Sequence, residues 1–114
     1  MKHLLKIFKA LSDSNRLRIV KMLEQKPLCV CEIVAVLQLA PSTVSKHLSI
    51  LREADLIQDD KQGKWVIYSL QQEAESDYVK QMLEQIAGWL NADKQIQKDL
   101  EKIKTSDRTA LCEL

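Results

Sequence analysis

Glycine and proline are nearly missing from this chain, two of each in 114 residues. With so few breaks, and with 46% hydrophobic and 29% charged residues, the composition excludes a disordered or collagen-like chain and favours a helix-rich folded one. No apolar run approaches the roughly 20 residues of a membrane span, and Lys6 and Lys9 interrupt the apolar start before a signal-peptide core develops. There are three cysteines. An odd count, with Cys29 and Cys31 only two positions apart, is not a disulfide framework and suits a reducing compartment, so a cytoplasmic protein with no membrane contact is expected. Only two histidines are present, no glycine-rich loop could cradle a phosphate, and Ser45 and His47 are too close to share a helical face. No catalytic constellation assembles, and no enzyme is expected. An excess of positive charge is lacking too: 17 basic against 16 acidic residues leave a formal net charge of +1. A nucleic-acid footprint would have to come from local placement.

What is there is helical periodicity, then a change of period. The length suits a single domain. Leu4, Leu5, Ile7, Phe8 and Leu11 fall at helical spacing. Ser12 to Asn15 offer caps for a second helix, which carries Leu17, Ile19, Val20, Met22 and Leu23 and stops near Pro27. A third helix is expected from about Cys31 to Leu37, and a fourth from about Ser42 to Ala54, joined by about four residues. That is a helix-turn-helix layout. Leu56 and Ile57, then Trp65 to Tyr68 and Leu70, are β-branched, aromatic or aliphatic, and they flank the polar turn Asp59 to Gly63. This pattern predicts a β-hairpin, a wing after the helix-turn-helix. Beyond Gln72 a long helix is expected through Val79, Met82, Leu83, Ile86, Trp89 and Leu90. The expected fold is mainly α with one small β-hairpin, a winged helix-turn-helix. Its DNA-binding domain spans residues 1–92, and residues 93–114 form a polar, helical extension or tail carrying Cys112.

The fourth helix divides its labour. Val44, Leu48 and Leu51 recur at core spacing, while Ser42, Thr43, Ser45, Lys46, His47 and Ser49 crowd its first half with short or polar groups. In helix-turn-helix proteins that half enters the major groove of double-stranded DNA. Short hydroxyls reach phosphates and base edges there, aided by the helix N-terminus. Ser42, Thr43, Ser45, Lys46 and His47 are the candidate DNA contacts on this helix, with a structural role for His47 equally open. Lys61, Gln62 and Lys64 at the wing tip suit phosphate or minor-groove contact, opposed by Asp59 and Asp60.

Cys29 and Cys31 carry soft sulfur ligands, which select thiophilic ions. On a regular helix, residues two apart project about 200° apart, so one ion can take both sulfurs only where the backbone is not helical. The pair stands at the entry to the first helix of the reading unit. Buried, structural cysteines remain the alternative.

Four segments in order resemble the ArsR/SmtB family of metal-responsive repressors, over residues 4–72: Phe8 to Asp13 with Arg16 to Ile19, Leu28 to Ile33, Ser42 to Leu48, and Leu51 to Ile57. Asp55 stands where the family usually has glycine. The resemblance implies a homodimer built from the first and last helices on a two-fold symmetric operator, with Leu4, Leu5, Phe8, Tyr78, Met82, Ile86 and Trp89 as candidates for the seam; no other protein partner is expected. It also implies that Cys-Val-Cys senses trivalent arsenic or antimony, which DNA binding itself does not require. The family commonly places a third thiolate three residues after the second, where this chain has Val34. The proposed set is Cys29, Cys31 and the one other thiol, Cys112, with a two-cysteine site completed by a small thiol or water, and a tail cysteine with no role, as the alternatives. The family's zinc site of His, Asp and Glu on the last helix looks absent, since residues 74–114 contain no histidine. His3 could join the thiolates, making cadmium, lead or zinc the alternative ligands. A thiol redox switch, and a protein-interaction winged helix that never reads DNA, are the remaining alternatives.

Overall fold

The computed structural model describes residues 1–106; Cys112 lies outside them. Six helices and three strands follow in the order α1 (Lys2–Leu11), α2 (Ser14–Leu23), β1 (Leu28–Cys29), α3 (Val30–Leu37), α4 (Pro41–Glu53), β2 (Ile57–Gln62), β3 (Trp65–Leu70), α5 (Asp77–Ala87) and α6 (Lys94–Lys104). The four helices and the hairpin read from the sequence up to residue 70 are all present.

Local chemistry sets the boundaries. Asp13 caps α2, its carboxylate accepting from the backbone N–H groups of Asn15 and Arg16 at 2.8 and 3.2 Å. Ser76 and Asp93 cap α5 and α6 in the same way. Proline at the first turn of α4 removes an N–H that has no helical partner there. The side chains that recur at helical spacing, among them Ile7, Ile19, Met22, Ile33, Val44, Leu48, Leu51 and Ile86, form one buried core.

The sheet differs from the expected lone hairpin. β1 pairs antiparallel with β3, placing Leu28 opposite Tyr68 and Cys29 opposite Ile67, so the strand order is β1-β3-β2. Two residues carry too little periodicity to read as a strand. The hairpin also runs further than expected: Asp59 to Gln62 continue β2, and the turn is only Gly63 and Lys64 between the pair Gln62 and Trp65. Gly63 has φ +62 and Lys64 does not share the left-handed region, which is the type II′ geometry that matches strand twist.

The end of the chain differs as well. The expected long helix stops at Ala87, before Gly88, and Leu90 turns the chain at φ +65. The stretch from residue 93, expected as a polar, helical extension or tail, does form a separate helix, α6, but one that is docked on the core. This helix packs on α2 and α3 and buries Ile96, Asp99 and Ile103. Its thin apolar stripe suffices because Asp99 makes a two-pronged ion pair with Arg18 of α2, at 2.8 and 2.9 Å. Among the described residues no helix is long and apolar enough to cross a membrane.

Candidate nucleic-acid interface and thiol site

α3 and α4 form the reading unit. Gln38 ends α3 in the left-handed region at φ 57, and after Leu39 and Ala40 the chain enters α4 at Pro41. Val44, Leu48 and Leu51 of α4 are fully buried, which turns Ser42, Thr43, Ser45, Lys46 and Ser49 out to solvent. Five exposed polar groups on the first half of a helix anchored from behind are what a major groove can accept. His47 is different. It is half-buried, and its Nδ1 lies 3.1 Å from the Arg16 guanidinium of α2.

The wing is fastened to the same helix. Arg52, at the end of α4, donates to Asp59 of β2 at 2.9 Å. The expected opposition of Asp59 to DNA is reduced by this pairing. Asp60 accepts from Gln62 at 3.3 Å. Lys61, Gln62 and Lys64 are exposed around the tip, with the Lys64 ammonium 5.4 Å from the Trp65 ring centroid. The lysines thus put exposed positive charge on the wing tip, which a net charge of +1 concealed.

Cys29 and Cys31 straddle the start of α3. Cys29 is the N-cap, with extended backbone (φ −89, ψ 166), while Cys31 lies inside the first turn. Of the pair, only Cys29 has a non-helical backbone. Cys29 is 2% exposed. Its backbone N–H donates to Glu32 Oε1 at 3.1 Å, and its thiol closes a capping box with the Glu32 backbone. Burial pushes the Cys29 thiol above its ordinary pKa; the Glu32 backbone N–H opposes this, and the Glu32 charge adds to it. Glu32 is itself buried and accepts from Ser106 Oγ at 2.7 Å. Cys31 is half-buried, with its sulfur in a disulfide. His3 directs Nε2 to the Ala54 carbonyl at 2.9 Å. Among the described residues no group of three or more His, Cys, Asp or Glu is placed to hold a metal.

The seam candidates divide in two. Leu5, Phe8, Tyr78 and Trp89 are each 51% exposed, and Leu4 and Met82 are half-buried beside them. Leu4, Phe8, Tyr78, Met82 and Trp89 line adjoining apolar grooves between α1 and α5 with the turn after it. Ile86 is buried in the core and forms the floor of the groove lined by Phe8, Met82 and Trp89. Leu11, Leu17 and Leu90, expected as helix positions but not as part of the seam, line the same groove.

Sequence reasoning also missed Arg16, Arg18, Glu32 and Asp99. The capping-box signal, an acceptor three residues before a glutamate, was present at Cys29 and Glu32 but masked by cysteine in the cap position. Nothing local marks the pairing of Arg18 with Asp99 across 81 residues.

Residues 13–59 match the family model described as "Bacterial regulatory protein, arsR family". The arsenical resistance operon repressor of Escherichia coli is 46% identical over 67 residues, 58% of this chain and 57% of that protein. The arsenic resistance transcriptional regulator ArsR1 of Pseudomonas putida is 36% identical over 92 residues, 76% of this chain and 71% of that protein. Among solved structures, HlyU from Vibrio cholerae superposes with a TM-score of 0.65 at 31% identity, covering 78% of this chain and 92% of that one. The chain thus spans little over half the length of the Escherichia coli relative and most of the others. A winged helix-turn-helix shared with these regulators, together with the matched family segment, shows that the chain belongs to the ArsR family of bacterial regulatory proteins, a family of transcriptional regulators and not of enzymes.

Proposed function

We propose that this protein is a homodimeric repressor that binds a two-fold symmetric operator and leaves it when trivalent arsenic or antimony is bound by its cysteine thiolates. One observation carries the DNA-binding part: the first half of α4 is polar and exposed while Val44, Leu48 and Leu51 anchor it from behind, and the far end of the same helix is tied to a lysine-bearing wing through Arg52 and Asp59. Ser42, Thr43, Ser45 and Lys46 contact the major groove, while Lys61, Gln62 and Lys64 hold the backbone or minor groove. The apolar face of α1 and α5 joins two copies.

The inducer reading rests on Cys29 and Cys31, with Cys112 as the third thiolate, and on the names of the relatives. Cys29 is both the N-cap of α3 and the partner of Ile67 in the wing strand. Drawing its sulfur toward that of Cys31 opens the capping box and shifts β1 against β3. The first helix of the reading unit and the wing then move together. Release follows if the ligated conformation fits the operator less well, which is a coupling free energy between the two sites.

The thiolate is the metal ligand, so this reading applies to the reduced protein. The disulfide at Cys31 favours a second reading, release by thiol oxidation. Fluorescence anisotropy on promoter DNA separates them. Release by arsenite under reducing conditions, lost in Cys29→Ser and Cys31→Ser, supports the first. Release by peroxide, reversed by dithiothreitol and indifferent to arsenite, supports the second.

A further inference from the structure

We propose that Arg16 is a positioning residue for DNA reading: it latches the end of α1 to the reading helix α4, with His47 serving as the α4 half of the latch and not as a base reader. The proposal rests on the DNA-binding reading and goes beyond it. Arg16 Nε donates to the Ala10 carbonyl at 2.7 Å and Nη2 to the Lys9 carbonyl at 3.3 Å. Both carbonyls lie in the last turn of α1, where helical partners run out. Nη1 reaches His47 Nδ1 at 3.1 Å and stands 3.9 Å from Asp13 Oδ2. The side chain is 14% exposed. One rigid fork of donors therefore touches α1, the cap of α2 and α4 at once.

The chemistry fixes the histidine. A guanidinium has five N–H donors, no acceptor, and stays charged. Nδ1 of His47 must therefore accept, and the ring proton sits on Nε2. His47 lies on the edge of α4, four residues after exposed Thr43 and three after buried Val44. Apolar packing of Ile7, Ala10, Leu48 and Leu51 sets which face of α4 is exposed, and the latch adds directional hydrogen bonds that fix how that face stands relative to the end of α1. In a dimer joined through α1, the same latch sets where each reading helix stands relative to the seam, and hence the half-site spacing.

The test uses Arg16→Met, His47→Leu and His47→Gln, whose side-chain carbonyl can still accept from Arg16. Anisotropy is read on promoter duplex and on a scrambled duplex of equal length, at one salt concentration. Arg16→Met and His47→Leu are expected to lose about tenfold or more of the specific-to-nonspecific ratio, and His47→Gln to recover it to within about threefold. Thermal melts on the same samples confirm that each variant is folded. Long-range ¹⁵N–¹H spectra should show the Nε2–H tautomer of His47 in the wild type and a tautomer mixture in Arg16→Met. The proposal is overturned if His47→Gln is as damaging as His47→Leu, if Arg16→Met keeps the ratio, or if Nδ1 carries the proton. A wild type that binds neither duplex removes the DNA-binding reading, and the latch with it.

Discussion

Replacing Arg18 by methionine should unfold this protein more readily than any surface change of the same size. Asp99 is 1% exposed, and both carboxylate oxygens are taken by the Arg18 fork at 2.8 and 2.9 Å. The Asp99 hydrogen bond raises the Arg18 pKa against the opposing effect of burial. Arg18 also donates to Asn15 at 3.1 Å. Without Arg18 the carboxylate keeps, among the described residues, the Gln95 amide at 3.0 Å. Breaking a buried pair on one side costs about 3–5 kcal/mol. The Arg18 side chain is 18% exposed, so water can enter the gap and the lower end, about 3 kcal/mol, applies. That is a large part of a total stability of roughly 5–15 kcal/mol. In urea, with a slope of about 1.5 kcal/mol/M, the midpoint should fall by roughly 2 M. Arg18→Met combined with Asp99→Leu removes both charges and should return to within about 1 kcal/mol of the wild type. All samples are compared at one protein concentration, because dimerisation would shift the midpoint. A loss below about 1 kcal/mol for Arg18→Met, or a double variant as weak as the two singles combined, would refute the assignment of α6 docking to this pair.

Asp13→Ala removes the cap of α2 and should cost about 1 kcal/mol in urea melts. Burial raises the Asp13 pKa, but the backbone N–H and charge of Arg16 outweigh it and hold the carboxyl below its ordinary value. Its contribution is therefore present above the ordinary carboxylate range and lost as pH falls through the lowered value, so acid melts of Asp13→Ala should depend less on pH. Lys61→Ala and Lys64→Ala each remove one contact per protomer, so in the proposed dimer each should lower the slope of log K against log salt by about 1.8, equally on promoter and scrambled duplexes. Gly63→Ala meets no atom within 4 Å, yet φ +62 should cost about 1 kcal/mol through backbone strain alone, measured by thermal unfolding.

Elements that state their own period were legible. The spacing of Val44, Leu48 and Leu51 gave α4 and its exposed face, and the switch to β-branched residues around Gly63 gave the wing. Asp55 was legible in the same local way. The family's usual glycine at this position suits a residue at φ +64, where aspartate sits instead and accepts from Gln71 at 2.7 Å. What stayed hidden depends on partners distant in sequence. β1 exists because β3 is there to pair with it. The docking of α6 depends on one arginine 81 positions away, and the role of Arg16 depends on carbonyls of α1 and a ring of α4. The two cysteines were read as a pair, but their geometry followed only from seeing Cys29 outside the helix and Cys31 inside it.

The central claim is that thiolates at the start of α3 control a DNA-reading face on α4. Anisotropy of a labelled promoter duplex, titrated with arsenite in the presence of dithiothreitol, tests it most directly. The account predicts tight, salt-sensitive binding that arsenite abolishes at about one to two equivalents per dimer, given the proposed thiolate set, and binding that persists through the titration in Cys29→Ser. Arsenite release that is undiminished in both Cys29→Ser and Cys31→Ser, or a wild type that does not bind the duplex at low salt, would contradict it.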